Sequence, residues 1–362
     1  MNETKVPGAA TRSAHGRGRR TVVLVAAFSV LAGTVLWRAQ HAYDAPSHWV
    51  VEPCDADLTR ANALEFVSPV IGPGEAGEWD ESIREIGNCI YNPDSGEWLF
   101  YYSGMARDGK DNEVYVGLAV SKDGTTFTKV GRALEPPAED PYVVFADGAF
   151  HLFYEDKSET PFRKVDLACS RDGRNWEVVS RGVITPQAQS WQDADVSSPV
   201  VVRAGAGWTM LYEGRGTESQ GRIGIAVADD LLGPWRQSRE FVVGGEGSWD
   251  HEAVPDDVIR QDGRYVLIYH GRPERNALAE RVWGREAIWH TGLMVSPDLR
   301  SWARVSSGPI SAASTLMIMQ RDEKISLFGE PESSGAARTF RGVRMYRPVA
   351  ASRTRASPRR QR

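Results

Sequence analysis

A repeated hairpin constrains this chain more than any other feature. Four segments end in nearly the same strand: Gly96-Glu-Trp-Leu-Phe-Tyr-Tyr-Ser-Gly104, Asp147-Gly-Ala-Phe-His-Leu-Phe-Tyr-Glu155, Gly207-Trp-Thr-Met-Leu-Tyr-Glu-Gly214 and Asp262-Gly-Arg-Tyr-Val-Leu-Ile-Tyr-His-Gly271. A weaker fifth copy is Glu323-Lys-Ile-Ser-Leu-Phe-Gly329. An apolar strand precedes each copy, as in Tyr142-Val-Val-Phe145 and Val200-Val-Val202. Two connections carry Asp-Gly, a pair that tolerates the positive φ of a tight hairpin. A third strand follows, then a serine, a turn with aspartate and an aromatic residue. Examples are Ser121, Asp123 and Phe127; Ser170, Asp172 and Trp176; Ser296, Asp298 and Trp302. Each unit therefore reads as a four-stranded antiparallel sheet of roughly 45–60 residues. One such sheet cannot bury both faces, so the units must stack, and radial stacking makes a propeller. The expected fold is all-β, a five-bladed β-propeller, with the segment before Trp79 completing the fifth blade.

The N-terminus has a different character. Residues 21–37, TVVLVAAFSVLAGTVLW, carry no charge and reach the lower length limit for a membrane-spanning helix. Arg17, Arg19 and Arg20 stand directly before them, which holds the N-terminus in the cytoplasm and sends the rest across. The expected organisation is a basic cytoplasmic tail (1–20), a transmembrane signal anchor (21–37), a linker (38–64), a propeller domain (65–347) and a basic tail (348–362). The propeller is then outside the cell membrane on a single-pass anchor. The alternative is a secreted protein released by signal cleavage.

Charge and composition narrow the function. Residues 347–362 hold six arginines and no acid, and the first 38 residues are also basic, yet the whole chain is −5. The body between them is therefore strongly acidic, which argues against nucleic acid as a partner. Twelve tryptophans and 11 tyrosines suit a carbohydrate ligand, whose apolar ring faces pack on flat aromatics, although most must pack between sheets. Three cysteines, at 54, 89 and 169, have no metal-site spacing. No cofactor is expected beyond a structural Ca2+ ion in the channel, and no metal ligands are assigned.

Candidate chemistry lies on the first strand of each unit, which lines a propeller's channel. Aligning the repeats places Glu85, Asp195 and Glu252 at one matched position, with Asp140 three residues later in its own unit. Acids converging from several blades fit glycoside hydrolysis, which needs one protonated and one ionised carboxyl. Three units also carry a tryptophan and acids just upstream, in Trp79-Asp80-Glu81, Trp191-Gln192-Asp193 and Trp249-Asp250-His251. Trp79 and Trp249 are candidate sugar platforms or inter-blade packing, and His251 a substrate contact or a packing residue. Arg84 either holds a substrate hydroxyl or pairs with an acid, pairing being preferred. A long insertion, residues 273–290 with Trp283 and Trp289, is placed to overhang the channel mouth.

The five-fold repeat, the Asp-Gly hairpins, the Ser-x-Asp-x-x-x-Trp units and Glu139-Asp140-Pro141 together resemble the five-bladed propeller glycosidases, a superfamily including glycoside hydrolase families 32, 43, 62, 68, 117 and 130. The resemblance implies an extracytoplasmic glycoside hydrolase acting on a neutral oligo- or polysaccharide. It implies Asp140 as the supporting acid and Asp80 or Glu85 as the first-blade base or nucleophile. The third blade departs from the pattern: Val196-Ser-Ser-Pro199 stands where a glutamate is expected, with Asp195 nearest. Glu252, beside His251, is then the expected proton donor. The alternatives are a non-catalytic carbohydrate-binding propeller and a transglycosylase or phosphorylase of the same superfamily.

Overall fold

A computed structural model of the chain describes residues 58, 61–110, 112–158, 162–217, 220–244, 249–274, 289–311, 313–321, 324–331 and 343–350. They form five four-stranded antiparallel sheets in a propeller-like arrangement, with no α-helix among the described residues. Four sheets are blades of consecutive strands. The first holds β2 (Ser82–Asn92), β3 (Glu97–Met105), β4 (Tyr115–Ser121) and β5 (Thr128–Arg132). The second holds β6 (Ala138–Ala146), β7 (Ala149–Asp156), β8 (Val165–Ser170) and β9 (Glu177–Ile184). The third holds β10 (Asp195–Ala204), β11 (Gly207–Arg215), β12 (Arg222–Ala228) and β13 (Arg236–Gln237). The fourth holds β14 (Glu252–Gln261), β15 (Arg264–Arg272), β16 (His290–Ser296) and β17 (Ala303–Arg304).

The remaining sheet is composite. β18 (Ala313–Arg321) and β19 (Lys324–Pro331) continue into β20 (Val343–Ala350), and β1 (Ala61–Ile71) pairs antiparallel with β20 as the outermost strand. The segment before Trp79 thus completes this sheet. β1 begins before the expected domain start at residue 65, and β20 runs past the expected end at 347. Leu58 is already buried, and its amide donates to Gln261 Oε1 at 3.1 Å. The inner strands close a ring: β2 packs on β6, β6 on β10, β10 on β14, β14 on β18 and β18 on β2.

The second strand of each blade is apolar on both faces because it lies between two neighbours. In β3, Leu99 and Tyr101 join Phe150 and Leu152 of the second blade, while Phe100 and Tyr102 join Met317 and Phe328 of the composite sheet. That division follows from side chains alternating along a strand. Val266 and Ile268 likewise meet Leu316 and Leu327. Each such buried side chain contributes about 1.5–3 kcal/mol.

Turn chemistry finishes the blades. Asp147-Gly148 and Asp262-Gly263 take positive φ at both residues (52° and 76°; 49° and 75°), as a two-residue hairpin requires. At the next turn Ser121 Oγ donates to Asp123 Oδ1, which also accepts the Thr125 and Thr126 amides at 2.8 Å. Asp172 and Asp298 repeat that turn. Among the described residues no helix is long and apolar enough to cross a membrane. The anchor expected at 21–37 and both tails lie outside the described residues.

Candidate active site

The inner strands are not regular. Pairing with the second strand slips between Ile86 and Cys89 in β2, between Glu139 and Tyr142 in β6 and between Ser197 and Val200 in β10. β14 and β18 slip in the same region. Such bulges re-aim side chains. Gly87, Asp140 and Ser198 occupy matching bulge positions in the first three blades. Asp140 and Ser198 both have left-handed backbones, with φ of 51° and 48°, a conformation costly for residues other than glycine. At Gly87 a Cβ would collide with the Pro141 carbonyl, so the first blade cannot present a side chain there. Its acid comes instead from Glu85.

Glu85 and Asp140 are half-buried, and both are pushed up to about 7. Desolvation is the main cause in each, because burial disfavours the charged carboxylate. At Glu85 the His270 imidazolium counteracts the rise, and the Glu139 and Asp256 carboxylates add to it; at Asp140 the Glu139 and Glu85 carboxylates add to it, and the Ser198 hydroxyl and Lys157 counteract it. Glu85 Oε2 accepts a hydrogen bond from Thr315 Oγ1. Asp140 Oδ2 accepts one from Ser198 Oγ at 2.7 Å.

A buried ionic network surrounds the pair. Glu139 pairs with Arg84 and with Lys157 at 2.7 Å, and Lys157 also reaches Glu155 at 3.1 Å. Arg215 joins Glu213 at 2.8 Å to Glu252 at 2.7 Å, and Arg272 closes on the other Glu252 oxygen. Asp256 holds His270 through Nδ1 and accepts the Leu316 amide at 3.0 Å. That carboxylate drives His270 up to about 9 against the cost of its burial.

The structure therefore redistributes the expected residues. It brings Glu85, Asp140 and Glu252 into one network. Glu252 is fully buried and each of its oxygens accepts from a guanidinium group, so a leaving group has no open approach to it. That geometry argues against it as proton donor. Asp195 accepts the Arg163 amide at 2.8 Å through Oδ1, a loop-holding contact. Arg84 pairs with Glu139.

Asp80, Trp79 and Trp249 belong to a different device. Asp80 is buried and accepts from Tyr102 Oη at 2.9 Å and Lys129 Nζ at 2.7 Å. Asp250 does the same with Tyr269 at 2.8 Å and Arg304 at 2.9 Å. Trp79 stacks on Tyr102 at 5.9 Å and is covered by Arg132, and Trp249 stacks on Tyr269 at 5.6 Å. Both rings lie over glycines, Gly117 and Gly292, where any Cβ would clash. These Trp-Asp pairs tie the inner, second and outer strands of a blade together. One face of each ring is taken by a tyrosine, which serves packing within the blade, and the partners of Asp80, Tyr102 and Lys129, belong to this device rather than to the acid cluster. His251 is half-buried in the bend before β14.

Glu155, Lys157, Glu213, Arg215, Asp256 and His270 were not anticipated. A signal existed in the repeat itself, where Tyr154-Glu155, Tyr212-Glu213 and Tyr269-His270 fall at one position of the second strand. Lys157, Arg215 and Arg272 recur two residues later. Among the described residues no group of three or more histidine, cysteine or acidic side chains is arranged to hold a metal. Cys89 and Cys169 are free thiols, and Cys54 lies outside the described residues.

The chain matches no protein-family model and no curated protein sequence. Its fold is shared with solved proteins. A family 117 glycoside hydrolase from the marine bacterium Zobellia galactanivorans aligns with a TM-score of 0.58 at 13% identity, over 80% of this chain and 90% of that one. A protein solved as an RGII complex aligns with a TM-score of 0.59 at 16% identity, over 82% and 94%. A family 32 β-fructofuranosidase from Bombyx mori aligns with a TM-score of 0.57 at 14% identity, over 77% and 61%. At such identities the likeness shows the fold, an all-β propeller of the kind glycoside hydrolases use.

Proposed function

We propose that this chain is a five-bladed propeller glycoside hydrolase, anchored by residues 21–37 and acting outside the membrane on a neutral oligo- or polysaccharide. The closed ring of five inner strands supports the blade count. One observation carries the activity: Glu85 and Asp140, half-buried on adjacent inner strands, are both held near 7. Two interacting carboxyls in that range share one proton at neutral pH, the condition glycoside cleavage needs. In this reading Asp140 keeps the proton, because the strongest charges acting on it are the acids Glu139 and Glu85 whereas the strongest acting on Glu85 is the His270 imidazolium, and Asp140 protonates the leaving oxygen. Glu85, beside His270, stays ionised as base or nucleophile. The solved neighbours and the RGII complex among them agree with a carbohydrate ligand.

The test is a screen of the full chain against glycans and aryl glycosides, with Asp140→Asn and Glu85→Gln alongside. Asp140→Asn should lower cleavage of natural glycosides on the order of 10²–10⁴-fold, and far less where the leaving group needs no proton. Full activity in both variants refutes the assignment. A specific observation favours the second reading, a non-catalytic carbohydrate-binding propeller. The third blade offers only Ser197 and Ser198 where an acid is expected, and Glu252 is locked between two arginines. Sugar binding without turnover, unchanged in both variants, decides for that reading.

A further inference from the structure

Resting on the proton-donor role of Asp140, we infer that Ser198 is the positioning residue of this site: its hydroxyl, offered from the third blade in a strained bulge, orients the Asp140 carboxyl towards the channel. The observations come from both sides of the contact. Asp140 and Ser198 are the non-glycine residues with left-handed backbones inside inner strands, at matched bulge positions of β6 and β10. Those two strands pack on each other, and the bulges meet through one bond, Ser198 Oγ donating to Asp140 Oδ2 at 2.7 Å. The Asp140 amide in turn donates to Ser103 Oγ of β3 at 3.1 Å, which holds the bulge from the opposite side. Oδ2 is thereby engaged, and Oδ1 has no hydrogen-bond partner among the described residues, so it is the oxygen placed to carry the transferable proton. Strain of this kind persists only where the surroundings over-determine it.

The charged groups facing Asp140 are Glu139 on its own strand, Glu85 from β2, Glu155 from β7 and Lys157 just beyond β7. Three are acids that raise its proton affinity. The Ser198 hydroxyl opposes them by stabilising the carboxylate. Removing that hydroxyl therefore drives the Asp140 titration further up.

Three variants of the full chain separate the bond from the strain. Ser198→Ala removes the donor and keeps the strained backbone. Ser198→Gly removes the donor and relieves the strain, since glycine tolerates positive φ. Ser198→Thr keeps a hydroxyl. The primary readout is the carboxyl carbon of Asp140, followed by NMR during pH titration in protein labelled at aspartate and assigned against Asp140→Asn. Ala and Gly should both move its midpoint upward from about 7 by on the order of one unit. Thr should restore it. In any glycoside assay that shows turnover, the alkaline limb of kcat/KM should move with the midpoint. An unmoved midpoint in both Ala and Gly overturns the inference. So does a stability change in Ala, relieved in Gly, without a titration shift, because the serine would then serve only the backbone. The titration needs no turnover. A shifted midpoint with hydrolysis intact in Asp140→Asn sinks the enzymatic assignment and leaves the Ser198–Asp140 coupling standing.

Discussion

Glu252 shows how a side chain's partners decide what it can do. It opens an inner strand beside a histidine, which in sequence suits a proton donor. In the fold it bridges Arg215 and Arg272. Glu252→Gln should therefore act mainly on stability, because removing one member of a buried ionic network leaves the others unpaired, at about 3–5 kcal/mol. Denaturant unfolding measures that loss. Residual activity per folded molecule should fall alike for natural and activated glycosides, since no leaving-group proton is involved. A selective loss on natural substrates would return the donor role to Glu252. The buried titratable groups also set a pH dependence. Glu85, Asp140 and Asp257 are raised to about 7 and Glu155 to about 8. Between about pH 4 and 8 the unfolded chain ionises these acids while the folded one retains protons, so stability falls as pH rises. His270 is raised from 6.5 to about 9, so its stabilisation is complete below 6.5 and lost through 9. The two effects have the same sign. The melting temperature should fall steadily from about pH 5 to 9, by a few degrees or more. In Asp256→Asn the part of the fall above pH 6.5 should flatten, because His270 loses the carboxylate that holds its proton.

At the scale of one element, the Trp-Asp pair is the recurring unit that closes a blade. The aspartate accepts from a tyrosine on the second strand and a lysine or arginine on the outer strand, and the tryptophan stacks on that tyrosine. In the third blade Gln192 takes the aspartate's place and Trp191 packs over Gly214. Asp250→Asn should cost about 2–4 kcal/mol, since it weakens a buried charge-assisted contact with Arg304 and leaves a poorer acceptor for Tyr269. Calorimetry reads the cost, and carbohydrate binding by the folded protein should not change. Asp80→Asn should behave the same way. Loss of turnover on Asp80→Asn without loss of stability would instead make Asp80 the first-blade base. The Ser-x-Asp turns are a second local device, in which two amides and a serine hydroxyl hold each aspartate low. Their stabilisation is present near neutral pH and fades as the solution becomes strongly acidic.

For the whole molecule, closure is the decisive interaction. The composite sheet joins β1 to β20, so the two ends of the propeller are held in one ladder. Removing residues 343–362 should leave β1 without its partner and β19 with an open edge. The expected result is loss of the cooperative thermal transition in the entire domain, measured by calorimetry, rather than loss of one blade. A deletion that starts at residue 351 should melt like the full chain. Anchoring is tested separately: the protein should fractionate with membranes and keep residues 1–20. A mature N-terminus near residue 43, recovered from the medium, would show signal cleavage instead.

How much of this was legible in advance follows from the range of each interaction. Strands, hairpins and the Ser-x-Asp turns rest on contacts within a few residues, and the alternation of β3 or β15 is written in consecutive side chains. The sequence by itself therefore determined the repeating sheet, the ring that such sheets must form, and the candidates Glu85 and Asp140. Tertiary structure alone decided their company. Thr315 reaches Glu85 across 230 positions of sequence, Ser198 reaches Asp140 across 58, and Arg215 of one blade neutralises Glu252 of the next. Trp79 and Trp249 read equally as platforms or packing, and the fold stacks one face of each on a tyrosine of its own blade. Proton affinity depends on burial and on the sign of the nearest charge, and both are properties of neighbours that the fold, rather than the order of residues, brings together.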